Sequence, residues 1–246
     1  GEHATYHLAH NAPLTSDIEG IARPMSHWVR SSLTSGSLAQ DCALAIQKAR
    51  EMPGHIATLI APADTAWGPS DGPVKAAPPV PRRHVEVQAV GTAAAALTCG
   101  EPAMLMLGGA ALRGKALEFA GRIAARTGCR LMAEYNNARM ECGAGRVRVD
   151  RLPYVVANAV SELKSIRQLV LAGAKVPVAF FAYPNKPSVL IPQDCAVSVL
   201  AGVEHDLEQA LEALAAEVDA LRTPVAAIPV RAPPSLPHGA LTPDGI

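Results

Sequence analysis

The chain has 246 residues, enough for one large domain or two modest ones, each with a buried core. Hydrophobic residues at 49% exclude disorder over most of the length, and aromatics at 4% leave the core to Ala, Val, Leu and Ile. Lys and Arg number 22 against 22 Asp and Glu, so no charge excess drives binding to nucleic acid or an anionic membrane surface.

The opening segment, GEHATYHLAH, places His3, His7 and His10 close together. On a helix His3 and His7 stand one turn apart and could share a metal ion with help from Glu2. Equally, the three histidines line a loop or a neighbouring subunit; there is no H-E-x-x-H. Further on, a helix over 38–50 puts Leu38, Cys42, Ala45, Ile46 and Ala49 on one face. Gly54 stops it, and 55–61 (HIATLIA) reads as a buried strand. One helix and one strand do not make two packed layers, so residues 1–66 read as part of a domain. Pro62, Pro69, Pro73, Pro78, Pro79 and Pro81 then mark an extended crossing, with a linker over 67–83.

A more complete α/β unit follows over 84–222. The pattern predicts a helix over 86–98, a strand over 103–107 (AMLML), a helix over 112–126 and a strand over 130–134. It continues with a helix within 155–167, strands over 168–172, 177–182 and 195–200, and a helix over 204–222. In that last helix Leu207, Leu211, Leu214, Val218 and Leu221 form one apolar stripe. Short apolar strands alternating with helices predict an open, mostly parallel sheet. Pro224, Pro229, Pro233, Pro234, Pro237 and Pro243 make 223–246 a second linker. At its end Thr242 suits a helix N-cap and Pro243 a first helical position, so a new element is expected to begin there.

Two segments could hold a ligand. After AMLML come Gly108 and Gly109 and then a helix through Gly114, so a tight turn brings free helix N–H groups towards a phosphate. The spacing is not G-x-G-x-x-G, and a plain strand-to-helix turn is the competing reading. Arg139, Arg146, Arg148 and Arg151 follow the Gly- and Asn-rich stretch 134–145 and either meet an anion or form a solvated face. Cys42, Cys99, Cys129, Cys142 and Cys195 are odd in number with no C-x-x-C, and read as small buried side chains in a reducing cytoplasm. There is no nucleophile elbow, no phosphate-binding G-x4-G-K-[ST], no apolar run of membrane-spanning length and no signal peptide. Gly1 stands where Met is usual, which points to processing or to a longer protein.

Gly1-Glu2-His3, Asn11-Ala12-Pro13, the run from Ile18 to Arg23-Pro24, His27, and Pro62-Ala63-Asp64 stand in order over the first part of the chain. That pattern resembles the later part of the pyrimidine-binding domain of thiamine diphosphate (ThDP) enzymes, most of all the acetolactate synthase large-subunit group. The middle unit resembles the family's Rossmann-like central domain: LMLGGAALRGKALEFAGRIAARTG is similar to the strand–Gly-Gly–helix that opens its second half, and GALTPDGI to the entry of the diphosphate-binding domain.

The resemblance implies a fragment of an enzyme that decarboxylates a 2-oxo acid such as pyruvate and passes the product to an acceptor, with ThDP as electron sink and Mg2+ beside it. It implies a homodimer or homotetramer for the full protein, with Gly1, Glu2 and His3 at the cofactor-facing edge. Gly108, Gly109 and Arg113 stand at the corresponding turn of the central domain. The family's activating glutamate lies upstream of Gly1 and its G-D-G…N motif downstream of Ile246, so the fragment is expected to be inactive alone. FAD is carried by the acetolactate synthase branch, but residues 173–187 (GAKVPVAFFAYPNKP) replace the segment that contacts flavin there. The runner-up reading is a nucleotide- or flavin-binding Rossmann-like module without ThDP chemistry.

Overall fold

The structure is a computed structural model that describes residues 2–225, 228–232, 238–239 and 242. The chain divides into two compact units, 1–83 and 84–246.

In the first unit Thr34 accepts a hydrogen bond from Ser37 N at 3.1 Å and so starts helix α2 (Ser35–Arg50). It follows a short helix α1 (Ile18–Ala22), capped by Asp17 through Gly20 N, and a strand β1 (Trp28–Ser31). Strand β2 (Ala57–Ile60) returns parallel to β1, in register from Trp28↔Ala57 to Ser31↔Ile60. The pattern predicts no β1, because SHWVRSS carries no apolar alternation of its own and its pairing rests on a partner some 29 positions away. The face of α2 also differs from expectation. Ala43 and Asp41 are its buried residues, while Cys42 and Ile46 are exposed. Asp41 is held by the Arg30 guanidinium of β1 at 3.0 Å. The 67–83 stretch has no helix or strand, yet Ser35 Oγ donates to Pro69 O and Gln47 Nε2 to Pro78 O.

The second unit begins with α3 (Val87–Thr98), β3 (Ala103–Leu107), α4 (Gly114–Thr127) and β4 (Arg130–Ala133). A two-residue strand β5 (Asp150–Arg151), α5 (Val156–Leu163), β6 (Gln168–Ala172), β7 (Ala196–Ala201) and α6 (Leu207–Glu217) complete it. The five strands lie in the order β5-β4-β3-β6-β7, and every pair is parallel. This is the open, mixed α/β architecture expected, with β3 at the centre and buried along its whole length.

Strand alternation builds two cores. Leu105 and Leu107 of β3 and Val170 and Ala172 of β6 face α3, α4 and α6. Met104 and Met106, with Leu169 and Leu171, face α5 and Leu190. Asp206 caps α6 by accepting from Gln209 N, and Gly128, at φ 75°, ends α4. The stripe on α6 is buried at Leu207, Leu211, Leu214 and Val218, but Leu221 lies beyond the helix and is exposed.

Three expectations are corrected. Residues 177–182 form no strand; a single antiparallel bridge joins Val178 to Val189. Helix α4 begins at Gly114 instead of 112, because a 3-10 turn occupies Gly109–Leu112. Of the five cysteines only Cys129 is buried, while Cys42, Cys99 and Cys142 are exposed. Along the C-terminal segment, Val225 packs on the core and Pro229 O accepts from Gly145 N at 3.0 Å. Pro243 and the element expected after Thr242 lie outside the described residues.

Candidate functional site

In the first unit the residues after Gly1 are fixed by backbone pairing. Glu2 forms a parallel bridge with Pro62, and Glu2 O accepts from Ala63 N at 3.1 Å. Asp64 takes both the amide of Thr5, at 2.8 Å, and its hydroxyl. The Thr5 hydroxyl bond is the main reason the Asp64 carboxyl lies below its ordinary value of 3.8. So the sequence-distant pieces 2–5 and 62–64 lie side by side, and Gly1 is outside the described residues.

Glu2 Oε1 accepts from the His3 amide, and His3 Nε2 bonds Pro13 O at 3.0 Å. A 3-10 turn, Thr5–His10, carries the other two histidines. The rings of His3 and His7 stand 5.4 Å apart and those of His7 and His10 5.7 Å apart. Among the described residues no group of three or more His, Cys, Asp or Glu could hold a metal ion. The T-shaped and tilted row stands beside a cavity of about 350 Å³ bounded by Glu2, His3, Tyr6, His7 and Trp67.

In the second unit the C-terminal ends of β3, β4 and β6 converge. The order β5-β4-β3-β6-β7 reverses direction at β3, and ligands of open α/β sheets bind outside the strand ends at that point. Gly108 follows β3 and Gly173 follows β6. A Cβ on Gly108 would stand 2.2 Å from Gly173 O and 2.5 Å from Glu134 Oε1. Gly109 has φ 52° and opens the 3-10 turn. That turn separates the glycine pair from the start of α4. Arg113 is the residue before α4, extended and half-buried.

Glu134 is a site residue that the sequence pattern does not single out. It follows β4 directly and stands beside Gly108 at the C-terminal end of the sheet. The signal was its position straight after the second strand of the unit. Half-buried in a cavity of about 300 Å³ with Met106, Leu152 and Lys175, its carboxyl is pushed above the ordinary 4.5 by burial, against the amide and charge of Lys175. Such a group accepts hydrogen bonds from a ligand hydroxyl or amine. By contrast, the arginines are exposed, Arg146 pairs with Glu141 at 3.2 Å and Arg148 with Asp150 at 3.4 Å, and Val147 and Val149 alternate inward between them. Arg148 and Arg151 thus stand on a solvated edge, while Arg146 also lines a cavity of about 560 Å³ with Lys115, Arg122 and Arg222.

The chain is 43% identical over 244 residues to the "Putative acetolactate synthase large subunit IlvX" of Mycobacterium tuberculosis, a match covering 98% of this chain and 46% of the relative. Among solved structures it is similar to a "putative thiamin diphosphate-dependent enzyme isolated from Mycobacterium smegmatis", with TM-score 0.71, 20% identity, and 93% of this chain on 46% of that one. Benzoylformate decarboxylase from Polynucleobacter necessarius gives TM-score 0.65 at 18% identity, with all of this chain on 49% of that one. A scan against protein-family models finds no match. The chain is thus similar over nearly all its length to an acetolactate synthase large-subunit-like relative and shares the fold of ThDP-dependent enzymes. It spans about half the length of the relatives it matches. No helix of the described residues is long and apolar enough to cross a membrane.

The described residues do not fit a ThDP diphosphate and its magnesium by themselves. They hold no three-ligand cluster, the chain carries no G-D-G, and the helix start at Gly114 is apart from Gly108.

Proposed function

We propose that this chain is the segment of an acetolactate synthase-like ThDP enzyme running from the later pyrimidine-binding domain through the central domain. Residues 1–66 and 84–222 belong to the two domains, joined by 67–83. The parent decarboxylates a small 2-oxo acid of the pyruvate type and joins the product to an acceptor, as a homodimer or homotetramer with ThDP and Mg2+. The observation that carries this reading is the 43% identity along 98% of the chain. The position of 2–5 against 62–64 supports it, because both pieces of the family pattern meet at one edge. The segment alone is expected to be inactive, since its described residues hold no three-ligand metal site.

Calorimetric titration with ThDP and Mg2+ tests this. The 246-residue chain is expected to give no binding heat, and a polypeptide supplied with both missing flanks is expected to bind and to consume pyruvate. Tight binding by the chain alone would show a site complete within it and overturn the fragment reading. Binding by neither would remove the ThDP assignment.

A further inference from the structure

Five of the chain's nine aromatic residues stand in one row on the second unit, beginning at Tyr135 on the wall of the Glu134 cavity and running away from it. Ring centroids step from Tyr135 to Tyr154 at 6.2 Å, to Phe180 at 5.6 Å, to Phe181 at 4.7 Å and to Tyr183 at 6.4 Å. Each step is edge-to-face or tilted, the preferred packing of rings. Yet Phe180 and Phe181 are 54% and 56% exposed, a poor use of scarce aromatic surface unless something covers it.

The row is held in place by the excursion between β6 and β7. Ala179 N donates to Ser188 O at 2.7 Å and Leu190 N to Pro177 O at 3.0 Å, which closes the excursion at its base. At its tip Lys186 N donates to Tyr183 O at 3.2 Å, with Asn185 left-handed at φ 58°. Between this tip and the start of α5 lies a cavity of about 420 Å³, a ligand-sized volume. Its walls are Tyr154, Val155 and Val156 on one side and Tyr183, Pro184 and Lys186 on the other.

We propose that this slot is a binding site for a planar aromatic carboxylate. Flat apolar walls select a ring. The charged group of the lining is the Lys186 ammonium, which enters no ion pair among the described residues, and no carboxylate lines the slot. An anion at the ring's edge therefore gains a partner, and a cation meets a like charge. The phenol of Tyr154 is held above its ordinary value of 10.0, by desolvation first and the neighbouring Tyr183 phenol second, so it stays protonated and able to donate. Nothing in the function proposed above draws on these residues.

The test is fluorescence titration of the 246-residue chain with 1-naphthoate, beside neutral 1-naphthalenemethanol and cationic 1-naphthylmethylamine. Saturable binding is expected, tightest for the carboxylate and weakest for the amine. Lys186→Gln, a surface change that leaves the fold intact, is expected to weaken naphthoate about fivefold, the worth of one exposed ion pair, and to leave the alcohol unchanged. Tyr154→Ala is expected to weaken all three. Equal affinity for carboxylate and amine, an unmoved Lys186→Gln, or no saturation overturns the proposal. So does sedimentation showing a dimer that Tyr154→Ala dissociates while naphthoate fails to bind, since the row is then an interface between copies.

Discussion

Gly108 and Gly173 approach each other where the two central strands end, and each carbonyl occupies the space a side chain on the other would need. A Cβ on Gly108 meets Gly173 O at 2.2 Å, and one on Gly173 meets Gly108 O and Leu207 Cδ1 at 2.6 Å. The obstacle in both cases includes backbone inside a parallel sheet, which cannot swing aside. Gly108→Ala is therefore expected to cost about 2–3 kcal/mol, the upper part of the overpacking range, read as a lower urea midpoint with the slope unchanged. Gly108 has φ −142°, so steric contact alone carries that cost. Glu134 beside it works in the opposite sense. Burial raises its carboxyl above 4.5 in the folded chain, so the ionised form is less welcome in the fold than in the unfolded chain. Its contribution is neutral below the ordinary carboxylate range and becomes a loss of stability as pH rises through the folded value. Glu134→Gln removes that loss. It is expected to raise the urea midpoint at pH 7.5 and to leave it unchanged near pH 4. A midpoint raised equally at both pH values would place the effect in packing and not in charge.

At the scale of elements, strand β3 shows how a parallel sheet divides one apolar run between two cores. Leu105 and Leu107 belong to the side of α3, α4 and α6, and Met104 and Met106 to the side of α5. Leu105→Ala empties a site with no exposed surface and is expected to cost about 2–5 kcal/mol in chemical denaturation. Met106→Leu, close in volume, is expected to cost under about 1.5 kcal/mol. AMLML and QLVLA were legible because central parallel strands are continuous apolar runs, and their limits, 103–107 and 168–172, are those of β3 and β6. PVAFFA carries an equally apolar run and makes no strand. Its phenylalanines point to the surface row of rings instead of a core, and local pattern does not distinguish those two fates. Strand β1 escaped for the converse reason: its residues carry little pattern and its partner lies beyond a whole helix. At the candidate site the glycine pair was legible as a turn. Glu134 was not, because its meaning depends on β4 lying next to β3, which is a property of strand order.

At the scale of the whole chain the two units differ sharply in what they bury. The second has two continuous cores that sandwich a five-stranded sheet. In the first, the buried apolar residues among those described are Ala4, Ala43 and Ile60, and the buried polar ones are Ser32, Asp41 and Thr65. Meanwhile Leu14 is 93% exposed and Trp67 70% exposed, and Tyr6, Ile21, Met25 and Ile46 also face outward. Two strands and one long helix with so little apolar burial are marginal in water, since a sheet of that size needs a further layer for independent stability. The consequence is measurable by hydrogen exchange. Amides of 28–31 and 57–60 are expected to exchange on the order of 100-fold faster than those of 103–107 and 168–172, because their opening costs far less than global unfolding. Trp28 and Trp67 are the chain's two tryptophans and both lie in the first unit, so their fluorescence reports its melting alone. A fluorescence transition below the main calorimetric one agrees with the exchange prediction. Coincident transitions, with equal protection in both units, would mean that the first unit draws its stability from apolar contacts its own core does not supply. On the segment reading proposed above, the same measurement on a polypeptide with flanking domains added is expected to bring the two transitions together, as the exposed apolar residues of the first unit gain a further layer.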